Sequence, residues 1–330
     1  MNEVKPMSRL KCPLILDSRD IFYSLVDYRN SRFTSENSDK IIEFYDSFKN
    51  RDDLIEWMKE RPKDVANIHE VDGDKEIIVV IPTADFNGKY AKECRENIFR
   101  GLHMIFVESG GILDPYFNLA HNVNLGVKKA MEYNPKWIVI SNDDMYKIDD
   151  IDTLNSILLK LDDRKHDVIL AALSENISSE LSMGRKRLTY HIYRFFKGRP
   201  TGKLFKKFSV NYFYIINSVK RSALVFEKIP NSSFPTFGAF VIFSSLYLRT
   251  KMGGTPFDEV YINEHEDVDL SLRLFLGRAR ILRINYRIGS MVGSSLGMSR
   301  ARYLRHVCGR VYFNFKYEKL LEHLKGNNSM

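Results

Sequence analysis

The sequence predicts an α/β fold: a mostly parallel sheet flanked by helices, entered through a helical N-terminal extension. Three observations support it. Short apolar runs rich in β-branched residues recur at 76–82, 103–107 and 137–140, as in strands buried on both faces. Stretches with helical spacing of apolar residues lie between them. Each run ends on polar or acidic residues, and in an open parallel sheet ligands gather beyond the carboxyl ends of the strands. With 330 residues, 44% hydrophobic and 28% charged, the chain can bury a sizeable core.

Residues 1–75 read as an accessory helical segment. Ile41, Ile42, Phe44, Tyr45 and Phe48 make one helical stripe, and residues 52–61 a second short helix stopped by Pro62. Residues 76–330 read as one α/β domain in three parts: 76–173, a basic aromatic insertion at 174–236, and 237–330. The strand at 76–82 ends in Pro82 and Thr83, and 89–100 is helical in pattern. The strand at 103–107 runs into Glu108-Ser109-Gly110-Gly111. Residues 118–133 place Leu119, Val123, Val127, Ala130 and Met131 on one helical face. The strand at 137–140 stops at Ser141 and delivers Asn142, Asp143 and Asp144. Further strands are expected at 167–173 and 237–243, and a helix from near Asp267, with Val268, Leu272 and Phe275 toward a core.

Three successive strands therefore put Thr83, Glu108 and Asn142-Asp143-Asp144 on one sheet edge. Two adjacent carboxylates and an amide are hard oxygen ligands, suited to a divalent cation that also holds phosphate oxygens. A loop in which Asp and Asn only initiate a turn is the structural alternative. A second acid cluster, Glu264, Glu266, Asp267 and Asp269, stands at the start of the later helix, where acids also serve simply to meet the macrodipole. Other motifs are excluded. There is no G-x-G-x-x-G, Gly198 to Leu204 lacks P-loop spacing, and His265-Glu266 has Asp269 where a zinc helix carries its second His.

The net charge of +8 is concentrated. Residues 181–226 contain eleven Lys or Arg and no acid, and residues 270–317 contain ten and no acid. Local basicity of this kind points to an anionic partner, against the alternative of a solvated basic face. Three widely spaced cysteines form neither a disulfide framework nor a zinc cluster, which suits a reducing, cytoplasmic setting. No apolar run reaches the roughly 18 residues of a membrane span.

Taken in order, these motifs resemble those of the inverting GT-A glycosyltransferases that use nucleotide-diphosphate sugars, the rhamnosyltransferase-like "family 2" type. The resemblance covers about residues 76–316. It rests on Val80-Ile81-Pro82-Thr83, the strand-ending Glu108, Asn124-Leu125-Gly126, the D-x-D-like Asn142-Asp143-Asp144, Gly238-Ala239, and Phe257-Asp258-Glu259 followed by Glu266-Asp267-Val268-Asp269-Leu270. The chain departs from the family pattern at two points: Glu108 stands where an Asp is usual, and Ser290 stands ahead of Ser294-Ser295 where many members carry a metal-binding His.

The resemblance implies a Rossmann-like GT-A sheet and transfer of a sugar to a hydroxyl of a glycan or lipid-linked acceptor. It implies Asp267 as the base with Glu266 beside it. Asp144 and Asn142 would hold Mn²⁺ or Mg²⁺, and Pro82, Thr83, Glu108, Asn124, Asp143, Gly238 and Ala239 would contact the donor. The insertion interleaves Tyr190, Tyr193, Phe195, Phe196, Phe205, Phe208 and Tyr212 with Arg and Lys. That composition suits a lipid-phosphate acceptor at an anionic membrane surface, stacking on single-stranded nucleic acid, or a half-buried hairpin with a basic outer face. A nucleic-acid-binding protein on an α/β scaffold is the competing reading. It leaves the two acid clusters unexplained, because acids at a crevice repel phosphate unless a metal intervenes. A transferase-like protein that binds a nucleotide sugar without turnover is a third.

Overall fold

The computed structural model describes residues 48, 50–63, 65–109, 118–175, 239–262, 265–291 and 300–326. The helical stripe at 41–47, the basic aromatic insertion from 176 onward, Gly238, Glu264 and Ser294-Ser295 lie outside the described residues.

The chain enters through α1 (Arg51–Glu60), whose start is capped by the Asn50 side chain accepting from the amides of Asp52 and Asp53. β1 (Asn67–Val71) and β2 (Asp74–Thr83) follow, then α2 (Lys89–Glu93), which widens into one π-helical turn at Cys94–Ile98. β3 (Leu102–Glu108), α3 (Leu119–Met131), β4 (Trp137–Ser141) and the short β5 (Met145–Lys147) come next. Then come α4 (Ile151–Lys160), β6 (Val168–Glu175), β7 (Phe240–Ser244), α5 (Ser245–Lys251), α6 (Glu266–Leu276), β8 (Ile281–Ser290), α7 (Arg300–Lys316) and α8 (Glu318–Gly326).

These strands form one eight-stranded sheet in the order β1-β3-β2-β4-β7-β6-β8-β5. The fold is α/β as expected, but the sheet is mixed rather than mostly parallel. β3, β2 and β4 are parallel neighbours and so are β6 and β8, whereas β1–β3, β4–β7, β7–β6 and β8–β5 are antiparallel. The misreading has a physical cause. β7 fills the gap between β4 and β6 in reverse, and a central strand buried on both faces is uniformly apolar whichever way it runs. Nor does the sheet begin at residue 76: β1, inside the stretch read as accessory, pairs from Asn67↔Glu108 to Val71↔Met104 as an edge strand. Its half-exposed sequence lacks the apolar run that marks the inner strands.

Helices cover both faces. On one, Ile77, Val79, Ile81, Phe106, Trp137 and Val139 pack with Cys94 and Ile98 of the π turn and Leu154 and Leu158 of α4. On the other, Ile78, Val80, Ile105, Val107 and Ile138 meet Val123 and Val127 of α3 and Leu270 and Leu274 of α6. The period-2 alternation of β2, β3 and β4 divides each strand between the two layers. α3 lies close on the sheet because Gly126 has no side chain: a Cβ there would stand 2.4 Å from Val80 Cγ1 and 2.9 Å from Val107 Cγ2. Among the described residues, no helix is long and apolar enough to cross a membrane.

Candidate active site

The register of the parallel strands builds the edge. Thr83 stands opposite Glu108, and the Ser109 amide donates to Thr83 O at 3.0 Å. Since Thr83 turns its carbonyl toward β3, Pro82, one residue earlier, turns its nitrogen toward β4. The β2–β4 register ends at Val80↔Ile140, so the missing N–H of Pro82 costs no ladder bond.

β4 ends one residue later, and the loop carrying the acids folds back over this edge. Thr83 Oγ1 donates to Asp143 Oδ2 at 2.8 Å. The Asn142 amide donates to Ala239 O at 2.8 Å, which joins the loop to the entrance of β7. Asp143 and Asp144 are 6% and 3% exposed, so these are buried carboxylates rather than solvated turn formers. Cys94 lies beneath them, its thiol donating to Asp143 O at 3.3 Å. Burial, then the charges of Asp143 and Asp144, push that thiol well up. A paired carboxylate set fits a hard divalent cation by its chemistry. Among the described residues, no group of three or more His, Cys, Asp or Glu is placed to hold a metal ion. A bound cation would therefore draw on Asp144, Asn142 and oxygens of the ligand itself.

Glu108 is held from two sides. Oε1 accepts from the Phe86 amide at 3.0 Å, and Oε2 accepts from His69 Nε2 at 2.9 Å. His69 stacks on the Phe86 ring at 4.2 Å, and the Arg95 guanidinium lies 4.2 Å from the same ring's centroid. A carboxylate with two donors still has acceptor capacity for a third.

The 257–259 loop, which precedes the second acid cluster, is bonded to α3. Asn118 caps α3, accepting from the His121 amide at 3.1 Å, and Asn122 donates to Ser109 Oγ. Asn118 Nδ2 also donates to Glu259 O at 2.8 Å, while Asn124 exchanges bonds with Phe257 N and O and donates to Glu259 Oε1 at 3.0 Å. Asn124, read as a donor contact, is 1% exposed and binds the 257–259 loop to α3. Glu259 Oε2 accepts from His121 Nδ1 at 2.8 Å. The His121 bond, opposed by burial and aided by Asn124, lowers the Glu259 carboxyl to about 2.

Glu266 and Asp267 occupy the first turn of α6, directly after His265. His265 is buried in the left-handed region at φ 76, ψ −5, with no side-chain capping bond. A non-glycine residue there persists only where its surroundings over-determine it. Asp267 Oδ1 accepts from the Val268 amide at 2.7 Å. Asp269, 0% exposed, accepts from Tyr261 Oη, Tyr317 Oη, Arg273 Nε and Lys316 Nζ, which clamps this turn to the end of α7. Lys316 Nζ and Tyr312 Oη also hold Asp258. Sequence reasoning missed His121, Lys316 and the three tyrosines. The only signal for His121 was its place three residues after Asn118 at a helix start.

No protein-family model matches the chain, and no curated protein matches it.

Proposed function

We propose that the protein is an inverting glycosyltransferase, moving a sugar from a nucleotide-diphosphate sugar to a hydroxyl of a glycan or lipid-linked acceptor with help from Mg²⁺ or Mn²⁺. The observation that carries this reading is the joined edge: Thr83 bonded to Asp143, and Asn142 bonded to Ala239, beside Glu108. Acidic groups, a hydroxyl and a close main-chain approach are what a cation-bound diphosphate and its sugar require. In this reading Asp144 and Asn142 hold the cation, which supplies charge stabilisation for the departing diphosphate. Thr83 sets the orientation of Asp143. Glu108 contacts the base, and Pro82, Asn124, Gly238 and Ala239 shape the donor pocket. Asp267 takes the acceptor hydroxyl's proton, with Glu266 positioning the acceptor.

The nucleic-acid reading loses support from the second basic block. Arg273, Arg280, Arg287 and Lys316 are paired with Asp269, Asp167, Asp149 and Asp258, so a stretch free of acid is not a surface free of acid. A peripheral role at an anionic membrane rests on the insertion, and the cytoplasmic setting on cysteine usage. The direct test is a panel of nucleotide sugars with and without Mg²⁺ or Mn²⁺, read by thermal shift and donor hydrolysis. Cation-dependent stabilisation by one donor with turnover is the expected result. Stabilisation without turnover supports a binding-only protein, and indifference to every donor removes the reading.

A further inference from the structure

The imidazole of His121 is used by none of the steps above. It stands in the first turn of α3, one residue before Asn122, which is bonded to Ser109 at the edge carrying Thr83 and Asp143. Nδ1 donates to Glu259 Oε2 at 2.8 Å. Glu259 is itself fixed by Asn124 at its other oxygen, and at its carbonyl by Asn118 and by Lys63 Nζ at 3.2 Å. With one nitrogen committed, the ring has a single orientation and tautomer, and Nε2 is the only ring atom left for exchange. Among the described residues Nε2 makes no hydrogen bond, and the side chain is 16% exposed.

We propose that His121, oriented by Glu259, is a proton donor of the site and presents Nε2–H to the diphosphate leaving the donor. The choice of ligand rests on the glycosyl-transfer reading. Three features favour an anion at Nε2. The Glu259 carboxylate, 2.8 Å from Nδ1, stays ionised far below neutral pH and gives the ring a charged acceptor at that nitrogen. α3 has no acid in its first turn, where the macrodipole is positive. Among the described residues, the charged groups that act on the pair are Glu259 itself, on the loop before α6, and the cationic Lys63 after α1. The step balances. As the bond from the anomeric carbon to the diphosphate oxygen breaks, its electron pair stays on that oxygen, which takes the Nε2 proton. The acceptor oxygen bonds the carbon and its proton passes to Asp267, and neutral His121 is reprotonated from water.

Inorganic pyrophosphate, titrated calorimetrically in the presence of Mg²⁺, probes this contact apart from any sugar. His121→Asn can keep the bond to Glu259 but has no Nε2. It should weaken pyrophosphate binding about tenfold or more, the worth of one charge-assisted hydrogen bond. Glu259→Gln should also weaken pyrophosphate binding, because the ring loses the charged acceptor that fixes its orientation. This second variant decides the matter if His121→Asn does not fold. Equal affinity in folded His121→Asn and wild type, or no binding by wild type at millimolar pyrophosphate, overturns the proposal. Sugar transfer is scored separately. His121-dependent pyrophosphate binding with no transfer from any donor removes the glycosyltransferase reading and leaves the dyad. Transfer with pyrophosphate affinity indifferent to His121 does the reverse.

Discussion

Replacing Glu259 by Gln tests how the 257–259 loop is anchored to α3. In the folded chain its carboxyl is lowered from 4.5 to about 2, first by His121 and then by Asn124 against the cost of burial. By linkage that displacement is worth about 3 kcal/mol. The side chain keeps 24% exposure, so solvent screening reduces the realised contribution to about 1–2 kcal/mol. The folded value lies below the unfolded one, so the contribution is complete above about pH 4.5 and disappears as pH falls toward 2. Urea unfolding of wild type and Glu259→Gln from pH 5 down to pH 2.5 reads it directly. Starting at pH 5 keeps ordinary histidines protonated throughout, and the other carboxylates titrate alike in both proteins. The stability gap should be about 1–2 kcal/mol at pH 5 and close steadily toward pH 2.5. A gap that stays constant over this window, or is absent at pH 5, would refute the argument that the His121 bond holds Glu259 ionised.

Asp267→Asn can keep an acceptor for the Val268 amide but takes up no proton, so donor affinity should survive while transfer falls about 10²–10⁴-fold. Near-normal transfer by the folded variant would move the base to Glu266. Asp144→Ala should weaken donor binding in Mg²⁺ or Mn²⁺, and equal affinity across a metal titration would remove Asp144 as a ligand. Gly126→Ala gains about 1 kcal/mol of helix propensity but drives a methyl into the stiff Val80 and Val107 side chains, so overpacking should win and lower the melting temperature by a few degrees. Val80→Ala in the same chain should recover part of that loss, and a Gly126→Ala protein as stable as wild type would show that α3 can lift off the sheet freely.

The first half of the sheet was legible because its signals are local. β2, β3 and β4 each carry a buried run rich in apolar and β-branched residues, and each stops within a residue or two of its expected end. Their register then follows, and with it the placing of Thr83 opposite Glu108. Strand direction was not legible, since Phe240–Ser244 buries both faces and offers no alternation from which direction could be read. The edge strands were missed for the opposite reason: β1 and β5 are short and half-exposed, and pairing rather than composition makes them strands. At the site, the acids were visible as residue types at strand and helix ends. Their partners were not, because Asn124 to Glu259 and Thr83 to Asp143 are bonds across 135 and 60 residues.

Charge shows most plainly why position in the chain misleads. The acid-free stretch from 270 onward looked like a basic surface, yet it supplies the cations that settle buried or edge-bound acids elsewhere. Arg287 and Arg280 are more than half exposed, and pairs of that kind contribute little to stability. Lys316 differs, because it answers both Asp258 and the fully buried Asp269. Burial opposes ionisation of Asp258, but the Lys316 bond and charge outweigh it and lower that carboxyl. Burial and the same two aspartates push the phenols of Tyr261, Tyr312 and Tyr317 up, which keeps each an O–H donor. Two carboxylates, two cations with Arg273, and three phenols make a balanced set with its acceptors engaged, the condition under which buried charge is tolerated. That set ties the 257–262 loop, the first turn of α6 and the end of α7 together. The placing of Glu266 and Asp267 thus depends on residues about 50 positions downstream that carry no motif of their own.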